Sequence, residues 1–257
     1  MSYQTLLTER RGDLALVRLN DPKTLNALSR DMLVELAEAV EQASSARALL
    51  LLGSERAFSS GANLSGSGAA PGEDLGAALD TYYNPLLRKL RALPIPVVSA
   101  VSGVAAGAGC SLALAADLVL AGEGASFVLA FRRIGLVPDA GASFLLTRAV
   151  GRARAMELML LGEKLPAARA LDWGLINRVV PDAELEAAAL ALAGELARGP
   201  TKALGLIREA AWSALDNGFH AQLDRERDLQ RQAGYTEDFL EGVTAFREKR
   251  PAAFKGA

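Results

Sequence analysis

The apolar positions of the chain alternate between short runs and helical spacings. Leu14–Leu19 (LALVRL) reads as a strand, and Tyr3–Leu7 as its partner around a turn at Arg11–Asp13. Ser29 is placed to cap a helix, because Met32, Leu33, Leu36 and Val40 then recur every three to four residues. Ala48–Leu52 (ALLLL) is continuously apolar, as a strand covered on both faces would be. Phe58–Leu64 reads as a turn-rich loop, and Ser65–Gly76 as a mobile Gly/Ser/Pro-rich excursion. A helix is predicted over Leu75–Leu93, stopped by Pro94 and Pro96 before a strand at Val97–Val101. Further strands are predicted at Asp117–Ala121, Ser126–Leu129 and Leu175–Val180; the rest of the chain from Ser143 onward reads helical. Strands alternating with helices, followed by a helical tail, predict an α/β fold with a C-terminal helical segment.

Composition narrows the function classes. The chain has 257 residues, 51% hydrophobic and 23% charged, enough to bury a sizeable core. A formal net charge of -2 argues against nucleic acid as the main partner, which requires clustered positive charge. One cysteine, Cys110, allows no internal disulfide, and one histidine, His220, leaves no metal-binding set; Cys110 is expected to pack and His220 to lie on a surface helix. No apolar run reaches the ~18 residues that span a bilayer, and the first residues lack a signal core, so a soluble cytoplasmic protein away from membranes is expected.

Three small-residue stretches hold the candidate chemistry. SGVAAGAGCSLALAAD (Ser102–Asp117) places Gly103, Gly107 and Gly109 ahead of an apolar helix. The spacing is wrong for a dinucleotide fingerprint, and no Gly-Lys-Ser/Thr is present for a P-loop. Either small residues pack a helix closely on a sheet, or the helix start aims an amide at an acyl oxygen. GSERAFSSGANL (Gly53–Leu64) is a second loop exposing amides around Ser60–Asn63, and one donor from each loop would make a two-amide oxyanion hole. In GLVPDAGAS (Gly135–Ser143), Asp139 either caps the following helix or stands beside an apolar pocket as a general base whose pKa desolvation raises.

Taken in order along nearly the whole chain, DPKTLNALS, GSERAFSSGANL, PIPVVSAVSGVAAGAGCSLALAADLVLAG, GLVPDAGAS, GRARAMELMLLGEKLPAARALDWGLINRVV and EGVTAFREKRPAAFKG resemble the enoyl-CoA hydratase/isomerase (crotonase) superfamily. The resemblance implies a spiral of ββα units in residues 1–195 and a C-terminal helical segment, residues 196–257, that builds homo-oligomers: trimers or dimers of trimers. It implies an acyl-CoA substrate, with coenzyme A part of that substrate and no separate cofactor or metal. The oxyanion amides map onto Ala62 and Ala108, with Gly107 keeping its turn tight. Contacts to the CoA ester map onto Lys23, Leu25, Ala27, Ser60, Gly61, Asn63 and Leu64, with Phe246 and Lys249 reaching a neighbouring subunit's ligand.

The departures from the family pattern are as informative. The two glutamates that hydratases of the family use fall at Ser111 and Phe131, neither of which handles a proton as a carboxylate does. Asp139 remains as the one acidic group at a family catalytic position. YNPLLRKL, SFVLAFRRIGLVPDAG and GRARAME are closest to one subgroup, the isomerases that turn ring-1,2-epoxyphenylacetyl-CoA into oxepin-CoA and shift 3-enoyl-CoA double bonds to the 2-position. A general enoyl-CoA isomerase or weak hydratase, or a noncatalytic acyl-CoA-binding member, are the alternatives. Phe127, Leu129, Phe131 and Leu136 are expected to form a dry acyl pocket around Asp139.

Overall fold

A computed structural model describes residues 3–65, 72 and 74–257. The expected excursion Ser65–Gly76 falls largely on residues 66–71 and 73, which lie outside the described residues. The chain opens with a hairpin, β1 (Leu6–Arg11) and β2 (Leu14–Leu19), turning at Gly12 and Asp13. β1 lies three to four residues beyond the predicted strand. Apart from Leu6 its side chains are exposed, so no apolar pattern marks its extent. Helix α1 (Arg30–Ala43) follows, capped by Ser29 as predicted, and then β3 (Ala48–Leu52) and a short β4 (Ala57–Ser59).

The predicted helix after the excursion is built in three parts: α2 (Leu75–Ala78), a π-helical turn (Leu79–Tyr83) and α3 (Asn84–Ala92). Pro85 has no N–H to donate, which accounts for the local widening of the turn just before it. Next come β5 (Val97–Val101), β6 (Val104–Ala106), α4 (Ala108–Leu114), β7 (Leu118–Gly122) and β8 (Ser126–Val128). A 3-10 turn (Ala130–Ile134) leads to α5 (Ala142–Ala149) and α6 (Gly151–Leu161). Then β9 (Lys164–Pro166), α7 (Ala167–Asp172) and β10 (Arg178–Val180) precede α8 (Leu185–Ala197), which crosses the expected 195/196 division by two residues. The helices α9 (Thr201–Ala214), α10 (Phe219–Ala233) and α11 (Glu237–Glu248) complete the chain.

Two sheets organise these elements. The larger has the order β1-β2-β3-β5-β7-β10, parallel beyond the antiparallel hairpin; the smaller has the order β4-β6-β8-β9. Each of β3, β5 and β7 hands the chain to a short strand of the second sheet and then to a helix, so the unit ββα repeats and the chain spirals. Both faces of the larger sheet are covered. Leu16, Leu50, Val98 and Leu120 pack on α8 through Ala189 and Leu192, while Val17, Leu49, Val97 and Val119 face the main core with Leu33, Leu36 and Leu90. Burial of both faces explains the unbroken apolar run at β3.

A buried ion pair docks the C-terminal helices. Arg208 of α9 meets Asp117 at 2.5 Å and donates to the carbonyls of Leu90, Arg91 and Leu93 at the end of α3. These carbonyls have no partner inside α3, so one guanidinium satisfies a helix terminus and a carboxylate together. Among the described residues no helix is long and apolar enough to cross a membrane.

Candidate active site

Two loops at the ends of β4 and β6 abut. Gly61 has φ +96°, and a Cβ there would lie 2.8 Å from the carbonyl oxygen of Ala106, so only glycine fits without displacement. Gly107 has φ +51°, and a Cβ there would lie 3.9 Å from the Cα of Gly61. Ala62 and Ala108 each follow one of these touching glycines.

The amide of Ala62 is free for geometric reasons. Leu28 forms a parallel bridge with Ala62 by donating to the Gly61 carbonyl at 2.7 Å and accepting from Asn63 N–H at 3.3 Å. Leu28 thereby uses the groups on either side of Ala62, and the Ala62 N–H turns to the opposite side. Ala108 is the first residue of α4, where an N–H has no partner within the helix. Among the described residues neither amide donates a hydrogen bond.

Buried polar side chains hold these loops. Ser59 Oγ donates to the Asn26 carbonyl at 2.7 Å and accepts from Gly61 N–H at 3.2 Å. Asn26, fully buried with φ +57°, donates through Nδ2 to the carbonyls of Ala57 and Phe58 and accepts from Asp21 N–H through Oδ1. Asn26 and Ser59 therefore position the first loop, and neither was expected from the sequence in that role. Their signal is a polar residue enclosed by apolar neighbours, with asparagine among the few residues that tolerate the left-handed region.

Asp139 sits on the connection between the 3-10 turn and α5. It does not cap α5: the cap position is Gly141, and no side-chain cap bond forms. The turn after Asp139 passes through two left-handed residues, Ala140 (φ +48°) and Gly141 (φ +83°), and this carries the helix start away from the carboxyl group. The Oδ1 of Asp139 is buried without a hydrogen-bond partner among the described residues. Burial pushes its pKa up to about 6. Burial and, after it, the nearby Asp139 charge together raise the Tyr83 phenol to about 12. The Tyr83 hydroxyl donates to the Leu28 carbonyl at 3.3 Å, which places it between the first loop and the base.

The two positions where carboxylates were missing are occupied differently. Phe131 is buried, and its Cζ comes within 3.8 Å of the Cβ position of Gly107, so an aromatic edge walls the second loop. Ser111, fully buried on α4, donates to the backbone carbonyl of Asp139 at 3.0 Å. Of the other expected pocket residues, Phe127 and Leu129 are buried, but Leu136 is exposed and does not line the dry pocket expected of it, because it lies on the outward connection after the 3-10 turn. Cys110 is buried and His220 exposed, as expected.

The residues expected around a CoA ester divide into two groups. Leu25, Ala27, Ser60, Gly61, Asn63 and Leu64 gather at the first loop: Ser60 N–H donates to the Leu25 carbonyl, Ser60 Oγ to the Thr24 carbonyl, and Ala27 is buried beneath. Lys23 is exposed in the adjoining turn. Phe246 and Lys249 lie apart, at the end of α11, where Phe246 is 84% exposed and Lys249 closes the helix in a left-handed conformation.

The family model for enoyl-CoA hydratase/isomerase matches residues 9–257. The chain belongs to that family. It is 48% identical to the 1,2-epoxyphenylacetyl-CoA isomerase of Escherichia coli (strain K12), over 93% of each chain. It is also 48% identical, over the full length of both, to a protein of Rhodobacter capsulatus named a probable enoyl-CoA hydratase. Among solved structures, the enoyl-CoA hydratase of Bacillus anthracis superposes with a TM-score of 0.93 at 31% identity, covering 99% of this chain and all of that one. The spiral of ββα units with C-terminal helices is thus the crotonase fold, as expected, and the chain is an enzyme acting on acyl-CoA thioesters.

Proposed function

We propose that this enzyme is an acyl-CoA isomerase that works through a thioester enolate with Asp139 as its one proton carrier. The observation that carries the reading is the carboxyl group of half-buried Asp139: its Oδ1 is buried and unpartnered among the described residues and its pKa is raised to about 6, with Ser111 and Phe131 where hydratases of the family carry glutamates. The Ala62 and Ala108 amides receive the thioester oxygen and acidify the carbon next to the carbonyl. Asp139 takes that proton, and the electron pair of the broken C–H bond moves into the enolate, with charge on the oxygen facing the two fixed N–H dipoles. For a 3-enoyl-CoA, the proton returns from Asp139 to carbon 4 and the double bond ends between carbons 2 and 3. For the ring-1,2-epoxide of phenylacetyl-CoA, the same proton shift accompanies opening to the seven-membered oxepin. The 48% identical isomerase of E. coli supports the second substrate. No step calls for a metal, nicotinamide or flavin.

Lys23, Leu25, Ala27, Ser60, Gly61, Asn63 and Leu64 form the rim that takes the CoA ester, with Phe246 and Lys249 supplied by a neighbouring subunit. Exposed apolar side chains on α9–α11, among them Ile207, Phe219, Leu240 and Phe246, are the surface through which copies of the chain associate as a trimer or a dimer of trimers.

The test is the Asp139→Asn variant with a 3-enoyl-CoA. Isomerisation falls by ~10²–10⁴, the worth of a general base, and solvent deuterium no longer enters the α position, while CoA-ester binding persists. Near-wild-type turnover of the variant would place the base elsewhere.

A further inference from the structure

Among the described residues nothing polar holds Oδ1 of Asp139, so the backbone has to keep the carboxyl group in place. That backbone is anchored from one side: Ala140 and Ala142 are buried, whereas Val137, two residues upstream of Asp139, is 78% exposed, and the two residues downstream lie in the left-handed region, which costs Ala140 about 1 kcal/mol. The Asp139 carbonyl accepts two hydrogen bonds at 3.0 Å. One, from Ala142 N–H, is internal to the same turn. The other comes from Ser111 Oγ and is the side-chain tether from the core to this residue. The alternative acceptor of the Ser111 hydroxyl, the Gly107 carbonyl, is at 3.5 Å, the limit of a hydrogen bond, so the proton belongs to the Asp139 carbonyl.

Ser111 lies one helical turn after Ala108, on the same face of α4. The tether therefore joins the segment bearing the base to the segment bearing an oxyanion amide. We propose that Ser111 is a positioning residue: its hydroxyl clamps the Asp139 backbone to α4 and so fixes the separation between the proton-carrying carboxyl group and the Ala108 amide. The role rests on the proposed isomerase reading. It gives a definite task to a position where a hydratase of the family would carry a carboxylate.

Ser111→Ala removes the clamp without adding bulk, and Ser111→Thr keeps the hydroxyl. Misplacing a catalytic group by about 1 Å costs ~10²-fold, so kcat for a 3-enoyl-CoA falls ~10–100-fold in Ser111→Ala, with KM within ~3-fold because the rim is untouched. Ser111→Thr recovers kcat to within ~3-fold of wild type, since its hydroxyl reaches the same carbonyl. If Ser111→Ala does not fold, Ser111→Cys, which keeps the size and weakens the donor, is compared with Ser111→Thr in its place. An unchanged kcat in the folded alanine variant overturns the proposal. So does a threonine variant no better than the alanine or cysteine one, or a loss confined to melting temperature. Asp139→Asn run in parallel separates the two levels: if it keeps turnover the isomerase base is misassigned, whereas if it is inactive and Ser111→Ala is not impaired, the clamp alone fails.

Discussion

Replacing Asp139 by asparagine abolishes the proposed chemistry and removes a loss of stability that sets in as pH rises, so the stability of the variant relative to wild type depends on pH in a defined direction. Burial moves the carboxyl from its ordinary 3.8 to about 6, so the native state holds this proton more tightly than the unfolded chain does. The stability contributed by this group is complete below the unfolded value, is lost as pH rises through the folded one, and stays lost above it. At 1.36 kcal/mol per pH unit the ceiling on that loss is about 3 kcal/mol. The residue is half-buried rather than enclosed, and solvent screening brings the figure to roughly 1–2 kcal/mol.

The asparagine side chain does not titrate in this range, so the variant escapes the loss. Its amide is as unpartnered as the acid it replaces and carries its own cost, but that offset is the same at every pH. The decisive quantity is therefore how the melting-temperature difference, variant minus wild type, changes with pH. About two thirds of the loss falls between pH 4.5 and 7.5, so the difference grows by roughly 1–5 °C over that range, given about 2–4 °C per kcal/mol for a domain of this size. Thermal unfolding of both proteins at one concentration across that range measures it. A difference that is flat or shrinks with rising pH would refute the claim that desolvation holds the carboxyl high.

Three further outcomes are expected. Ala108→Pro removes the amide of the first residue of α4, a position where proline fits a helix; kcat falls ~10²–10³-fold with little change in melting temperature, read from steady-state kinetics beside calorimetry. Crotonyl-CoA is hydrated very slowly, because Ser111 and Phe131 offer no second acid or base; a rate comparable to a good hydratase, from protein free of host enzyme, contradicts this. Arg208→Ala leaves Asp117 and the end carbonyls of α3 without their buried partner, and denaturant unfolding shows a loss of about 3–5 kcal/mol.

The parts of the fold that were legible in the sequence are those where burial leaves a periodic trace. Helix α1 and strands β2, β3 and β5 lie where the apolar spacing puts them. Strands β4, β6 and β9 are three residues each, too short for any period, and β4 and β6 read as loop because they end in the small residues that let the two loops touch. The predicted strand Leu175–Val180 shrinks to Arg178–Val180, since Asn177 uses both its backbone N–H and its Oδ1 to pair with Val119. At the proposed site, Ala62, Ala108 and Asp139 are the candidates that family motifs and glycine placement single out. Asn26, Ser59 and Tyr83 were not: each acts by a bond to a carbonyl or amide distant in sequence, which no local pattern announces.

The chemistry assigned here follows from what replaces the absent carboxylates as much as from the one that remains. A hydratase has to activate a water and protonate a carbon, which calls for two proton-handling groups around a wet centre. An isomerase moves one proton between two carbons of the same chain, and a single carboxyl can take it and return it if water is kept out. Phe131 turns one of the two family positions into an apolar wall beside Gly107. Ser111 turns the other into a backbone tether that spends its hydroxyl on Asp139. Desolvation is the largest influence on Asp139 among the described residues and raises its pKa. A base near 6 is mostly ionised at pH 7, yet holds a proton well enough to deliver it to carbon, and the two loop amides take the charge formed between those events.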